Sequence, residues 1–136
     1  MQSLFTASEF VLKYPKIYGI ATSLRHLKLG YVLITHADFD VVYEKEIFNF
    51  NRESEHQAYL LTYLDDDTQL LVIKNKGTQQ YFYPKYKQVD YLLCSISEGE
   101  INIEIVKIVS KLKGISICFA LDNPNKKDLL NFTQLQ

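Results

Sequence analysis

The sequence predicts an α+β fold: a largely antiparallel sheet of about five or six strands packed against two or three helices in a single domain. Three observations predict it. Segments of strand length outnumber helical ones. Most are joined by turns too short for a parallel crossover, which needs about a dozen residues. Two stretches carry apolar residues at helical spacing instead, and these are expected to lie against one face of the sheet.

In chain order, Phe10 to Tyr14 reads as a short extended segment ending at Pro15, which has no amide to give a ladder. Thr22 or Ser23 is a fit N-cap for a first helix whose stripe is Leu24, Leu27, Tyr31 and Ile34, with Arg25 and Lys28 on other faces. Gly30 in its middle costs about 1 kcal/mol relative to Ala, so a close approach to another backbone is expected there. Val41 to Tyr43 and Ile47 to Phe50 read as two short strands before the polar loop 51–55. A meander follows: strand 58–64, an acidic turn 65–68, strand 69–74, a turn at 75–78 with Gly77 available for positive φ, and a third strand 79–83. Val89 to Cys94 is apolar on both faces and belongs in the sheet interior. Glu98 and Glu100 lead into a second helix with Ile101, Ile105, Ile108, Val109 and Leu112 as its stripe, and Gly114 stops it. Ile115 to Leu121 is a last strand, and Asn123-Pro124 opens a short helix through Leu130.

The 136 residues form one domain, 1–136, with no linker or repeat, and the formal net charge of -1 gives no whole-molecule attraction to nucleic acid or membrane surfaces. The N-terminus lacks a basic region followed by an apolar one, and no run has the length of a membrane span, so a cytoplasmic protein without membrane contact is expected. Cys94 and Cys118 sit in apolar runs without Cys or His at ligand spacing, the pattern of buried thiols.

Tyr83-Pro84-Lys85-Tyr86-Lys87-Gln88-Val89-Asp90-Tyr91 resembles the signature of the bacterial IPExxxVDY family: Pro84 and Val89-Asp90-Tyr91 stand at the family's offset. Tyr83 replaces the family's Ile and Lys85 its Glu. The early Ile17 to Ile20 before a helix, the hairpins, and the helix and strand after the motif also follow the family's order. The resemblance implies no activity, cofactor or catalytic residue. Physically, Pro84 ends one strand, and Val89 and Tyr91 are expected on one face of the next with Asp90 on the other. Asp90 is expected to cap backbone amides of the preceding turn, to meet a cation such as Arg25 or a lysine, or to sit at the rim. The positive charge at Lys85 removes the second carboxylate that an acid/base pair with Asp90 would need.

Other constellations read as architecture. His36 with Asp38 and Asp40 is the turn after a helix, and Asp65 to Asp67 is a hairpin tip lacking the Gly and distal Glu of a calcium loop. No phosphate loop, dinucleotide-binding glycines or nucleophile elbow occurs, so no cofactor, metal or small-molecule ligand is indicated. What exceeds background is aromatic: ten Tyr and eight Phe, with Tyr81, Tyr83 and Tyr86 interleaved with Lys85 and Lys87. Rings beside few charges suit protein interfaces. Rings beside lysines suit single-stranded nucleic acid. The first expectation is therefore a non-catalytic module that pairs with itself or another protein through a Tyr-rich sheet edge. The second is an RNA- or ribosome-associated accessory protein with Lys74, Lys76, Lys85 and Lys87 on phosphates, and the third an enzyme using Asp90.

Overall fold

The computed structural model describes residues 16–96 and 101–135. The extended segment expected at Phe10 to Tyr14, and Glu98 and Glu100, lie outside them. The described elements run β1 (Ile17–Thr22), α1 (His26–Ile34), β2 (Phe39–Phe48), β3 (Glu55–Tyr63), β4 (Thr68–Lys74), a 3-10 turn (Pro84–Tyr86), β5 (Tyr91–Ser95), α2 (Ile103–Lys111), β6 (Ile115–Ala120) and α3 (Lys126–Thr133). The six strands form one sheet in the order β2-β3-β4-β5-β1-β6, and every neighbouring pair is antiparallel. The α+β class follows directly.

Alternation along the interior strands separates two cores. Leu70 and Val72 of β4 and Leu93 of β5 face one cluster, capped by Leu29 and Leu33 of α1 and Ile105, Val106 and Val109 of α2. Leu71 and Ile73, with Leu92 and Cys94, face the other, closed by Phe132 of α3 and by Phe82, Tyr83 and Val89 from the β4–β5 connection. Helices thus cover both faces, not one. A sheet with two covered faces explains why β5 is apolar throughout: its five residues are all buried, as its reading as an interior strand requires.

Several local expectations are corrected. The two short strands at 41–43 and 47–50 are one strand, β2, whose register against β3 shifts between Glu44 and Ile47. The expected third meander strand, 79–83, makes a single bridge between Lys76 and Tyr81 and no ladder. Gly77 is not in the left-handed region; a Cβ there would run into Ser54 and His56, so close approach is what the position requires. The cap of α3 is Asn125, whose side chain accepts from Asp128 N–H, two residues beyond Asn123. Asn102 caps α2 by accepting from Glu104 N–H, and Gly114, at φ 95°, ends that connection as expected.

The largest correction concerns α1. It begins one turn late, with Arg25 at the N-cap and no side-chain cap bond, and it buries His26, Leu29, Gly30 and Leu33. Leu27, Tyr31 and Ile34 of the expected stripe are 80%, 63% and 51% exposed. Gly30 does mark a close approach, but to a side chain: a Cβ would strike the Tyr59 ring, whose hydroxyl donates to His26 C=O at 2.9 Å. No described helix is long and apolar enough to cross a membrane.

Candidate functional site

The β4–β5 connection carries the aromatic segment, and Asn75 organises it. Fully buried at the end of β4, Asn75 accepts from Tyr83 N–H at 2.8 Å through its side-chain oxygen and donates to Tyr86 C=O at 2.8 Å and Val89 C=O at 3.2 Å. Its backbone N–H reaches Asp90 C=O and its C=O takes Phe82 N–H. One amide side chain therefore ties together the backbone of an irregular loop at its buried residues, Tyr83 and Val89, and at Tyr86.

That loop divides the Tyr-rich residues in two. Tyr83 is fully buried and donates to Asp122 C=O at 2.6 Å, its hydroxyl pushed up to about 12 chiefly by burial. Tyr86 accepts Asp122 N–H at 3.1 Å, and Lys85 pairs with the Asp122 carboxylate at 3.1 Å. Tyr83, Lys85 and Tyr86 thus form a clasp on Asp122, two residues beyond β6. The segment is no strand and connects two interior strands, whereas β2 and β6 are the outer strands of the described sheet, so among the described residues this Tyr-rich segment forms no sheet edge. Tyr81 and Lys87 turn the other way, with the Lys87 ammonium 5.9 Å from the Tyr81 ring centre, and they line a cleft.

The motif residues are placed differently from their strand reading. Pro84 opens the 3-10 turn, and β5 starts only at Tyr91. Val89 therefore escapes the alternation and packs in the second core, while Tyr91 belongs to the first. Asp90 caps, as expected, although its target is the Thr22 N–H at the end of β1, at 2.9 Å, and not the preceding turn. Asp90 N–H also donates to Ile20 C=O, so the residue ties the entry of β5 to β1.

The cleft, about 1130 Å³, opens where the N-terminus of α1 faces the ends of β1, β4 and β5. Arg25, Lys28, Lys74, Lys76 and Lys87 line it, and Asp90 is the sole carboxylate among the described residues that do. None of the five cations makes an ion pair among the described residues. Arg25 at the N-cap and Lys28 in the first turn of α1 oppose the helix dipole, which favours negative charge at that end. An anion placed at that end would offset this repulsion.

His26 forms part of the wall. It is 6% exposed, stacks on Tyr59 with ring centres 4.3 Å apart and lies 6.0 Å from Tyr91, yet neither of its ring nitrogens has a hydrogen-bond partner among the described residues. Burial, and then the Lys74 ammonium, hold its pKa below the ordinary value, so the ring is neutral near pH 7. A buried imidazole with two unanswered nitrogens costs free energy unless something outside the described residues meets it. The other buried histidine, His56, differs: its Nδ1 donates to Lys74 C=O at 2.8 Å.

The remaining sequence candidates stay structural. His36 Nδ1 accepts Asp38 N–H at 3.2 Å, and the described residues hold no group of three or more His, Cys, Asp or Glu arranged for a metal ion. At the β3–β4 turn, Asp66 takes Thr68 N–H and the Asn102 side-chain amide at 3.0 Å each; these bonds, with that from the Thr68 hydroxyl, hold its carboxyl below the usual range. Burial pushes both thiols up, Cys118 to about 12, which leaves neither a nucleophile.

Sequence reasoning named Lys74, Lys76 and Lys87 but did not bring Arg25, His26 and Lys28 to them. They are joined by the antiparallel pairing of β1 with β5 and β5 with β4, which no local pattern encodes. No protein-family model, curated protein or solved structure matches this chain.

Proposed function

We propose that this protein binds single-stranded RNA in the cationic cleft without acting on it chemically. The observation that carries the reading is the convergence of Arg25, Lys28, Lys74, Lys76 and Lys87 on one concavity whose only described carboxylate is already engaged with a backbone amide. Two rings support it: Tyr31 and Tyr81 line the same cleft with Lys28 and Lys87 near their faces, the pairing of stacking platform and cation that single strands use. A net charge of -1 is compatible with this, because the positive field is local and acts within a Debye length of about 8 Å. An enzymatic role for Asp90 would require it to release Thr22, which weighs against that alternative.

Fluorescence anisotropy with a labelled single-stranded RNA tests the reading. Binding at low ionic strength should weaken on adding salt, each neutralised phosphate contributing about -0.7 to the log–log slope. Lys87→Ala should reduce both affinity and slope, while Lys85→Ala, on the Asp122 clasp, should change neither. Absence of binding at low ionic strength ends the proposal.

One observation favours a second reading, a protein-assembly module. Leu27, Tyr31 and Ile34 present an apolar face of α1 outward, beside a groove of about 490 Å³ lined by Leu24, Val32 and Leu112. Light scattering over a concentration series decides it: self-association abolished by Leu27→Asp supports it, and a strict monomer that captures no protein partner removes it.

A further inference from the structure

We propose that the α1 end of the cleft holds a phosphomonoester, the terminal phosphate of an RNA strand or of a free nucleotide, with the first-turn amides of α1 and His26 as its donors. This rests on the phosphate-binding reading above and narrows it to one chemical group.

The first intrahelical bond of α1 runs from Leu29 N–H to Arg25 C=O, so the amides of His26, Leu27 and Lys28 precede it. No side chain caps them and no acidic residue lies in that turn. Uncapped amides, a positive dipole end and two cations make a phosphate seat. The independent observation is His26, 6% exposed, among the residues lining the cleft, with Nδ1 and Nε2 both without a partner among the described residues. A neutral imidazole carries one N–H, so it can donate to a phosphate oxygen without being protonated first.

Charge selects a phosphate end over an internal phosphodiester: an internal phosphodiester brings one negative charge, but a terminal phosphate carries about -1.5 to -2 near pH 7. The five cations lining the cleft, none of them in an ion pair among the described residues, match the larger value.

Tyr43 of β2, Tyr59 of β3 and Tyr91 of β5 pack against the His26 ring and the Lys74 ammonium of β4 acts on it, while Arg25, Lys28 and Asp90 are the other charged groups lining the same cleft. Apart from Asp90 the charged ones are positive, so the ring's surroundings reward an anion placed against it.

Anisotropy and competition assays on the full chain test this with a 5′-phosphorylated RNA, the same strand with a 5′-hydroxyl, and adenosine 5′-monophosphate as the free nucleotide. A preference of about tenfold or more for the phosphorylated strand is expected, the worth of one or two charge-assisted hydrogen bonds. His26→Phe, which keeps the ring stack but removes both nitrogens, should erase the preference and leave hydroxyl-strand binding in place. Arg25→Gln, at an exposed position and so independent of folding, should reduce it as well. Competition by the mononucleotide also supports the inference, and if it binds while neither strand does, the RNA reading fails and the phosphomonoester site stands. Equal affinity for both strands, or a preference unchanged by both substitutions, overturns the inference and leaves RNA binding intact. If neither strand nor nucleotide binds, both proposals fall.

Discussion

Asn75 is the side chain on which the candidate site depends most, although it touches no expected ligand. Its amide answers three backbone groups of the loop that delivers Tyr81 and Lys87 to the cleft. Removing it leaves buried donors and acceptors unpaired, so Asn75→Ala should cost about 2–4 kcal/mol in urea unfolding, each orphaned group being worth about 1–3 kcal/mol. A loss under about 0.5 kcal/mol would mean water replaces it without penalty. Nothing in the sequence marked Asn75, which read as a turn residue because Asn is common there and its partners lie 8 to 14 positions on. Asp90 was legible for the opposite reason: a carboxylate at the mouth of an apolar strand has few options, and capping is what it does. Tyr83 was legible as aromatic but not as buried, since a ring with a hydroxyl fits core and surface alike until its partner, here Asp122, is known.

At the scale of the element, α1 shows how periodicity misleads. Leu27, Tyr31 and Ile34 recur at helical spacing, and so do His26, Leu29, Gly30 and Leu33. The second set reads as weaker because it contains His and Gly, yet it is the buried one. Gly30 admits the Tyr59 ring and His26 takes the stack, so both residues belong to the packing that defeats the hydrophobicity count. The two faces separate experimentally. Leu33→Ala should cost about 2–5 kcal/mol as a core truncation, while Leu27→Ala, at 80% exposure, should fall within about 0.5 kcal/mol of wild type. Comparable losses at both would mean that α1 is rotated from its described position. The second helix was easier because Ile105 and Val109 have no rival stripe and Gly114 marks its end, although its cap, Asn102, went unmarked.

For the whole molecule, the sheet was readable because its hairpin turns advertise themselves: Asp65 to Asp67 between β3 and β4 is short, polar and holds a left-handed residue at Asp67. The strand order was not, since placing β1 between β5 and β6 depends on contacts far apart in sequence. The same contacts gather the cations, so fold and site became illegible at one step. A global pH response follows from two buried histidines. Burial holds both His26 and His56 below the ordinary 6.5. Below that value the unfolded chain binds protons that the folded one refuses, so their contribution to stability is complete above about pH 6.5 and is lost as the pH falls. Asp66 and Asp122, held low by their hydrogen bonds, add a similar loss only further down, in the carboxylate range. The urea midpoint should therefore drop between about pH 7.5 and about pH 5.5. A midpoint that holds or rises would place the histidines in contact with water.

The central claim is that the cleft at the α1 N-terminus is the binding site, and amide chemical-shift mapping of the isotope-labelled chain with 5′-phosphorylated single-stranded RNA tests it most directly. The account predicts shifts concentrated at Ser23 to Lys28, Lys74, Lys76, Tyr81 and Lys87 to Tyr91, with α3 and the Asp122 clasp unmoved. Shifts confined to α3 or to the outer strand β2, or none at low ionic strength, would contradict it.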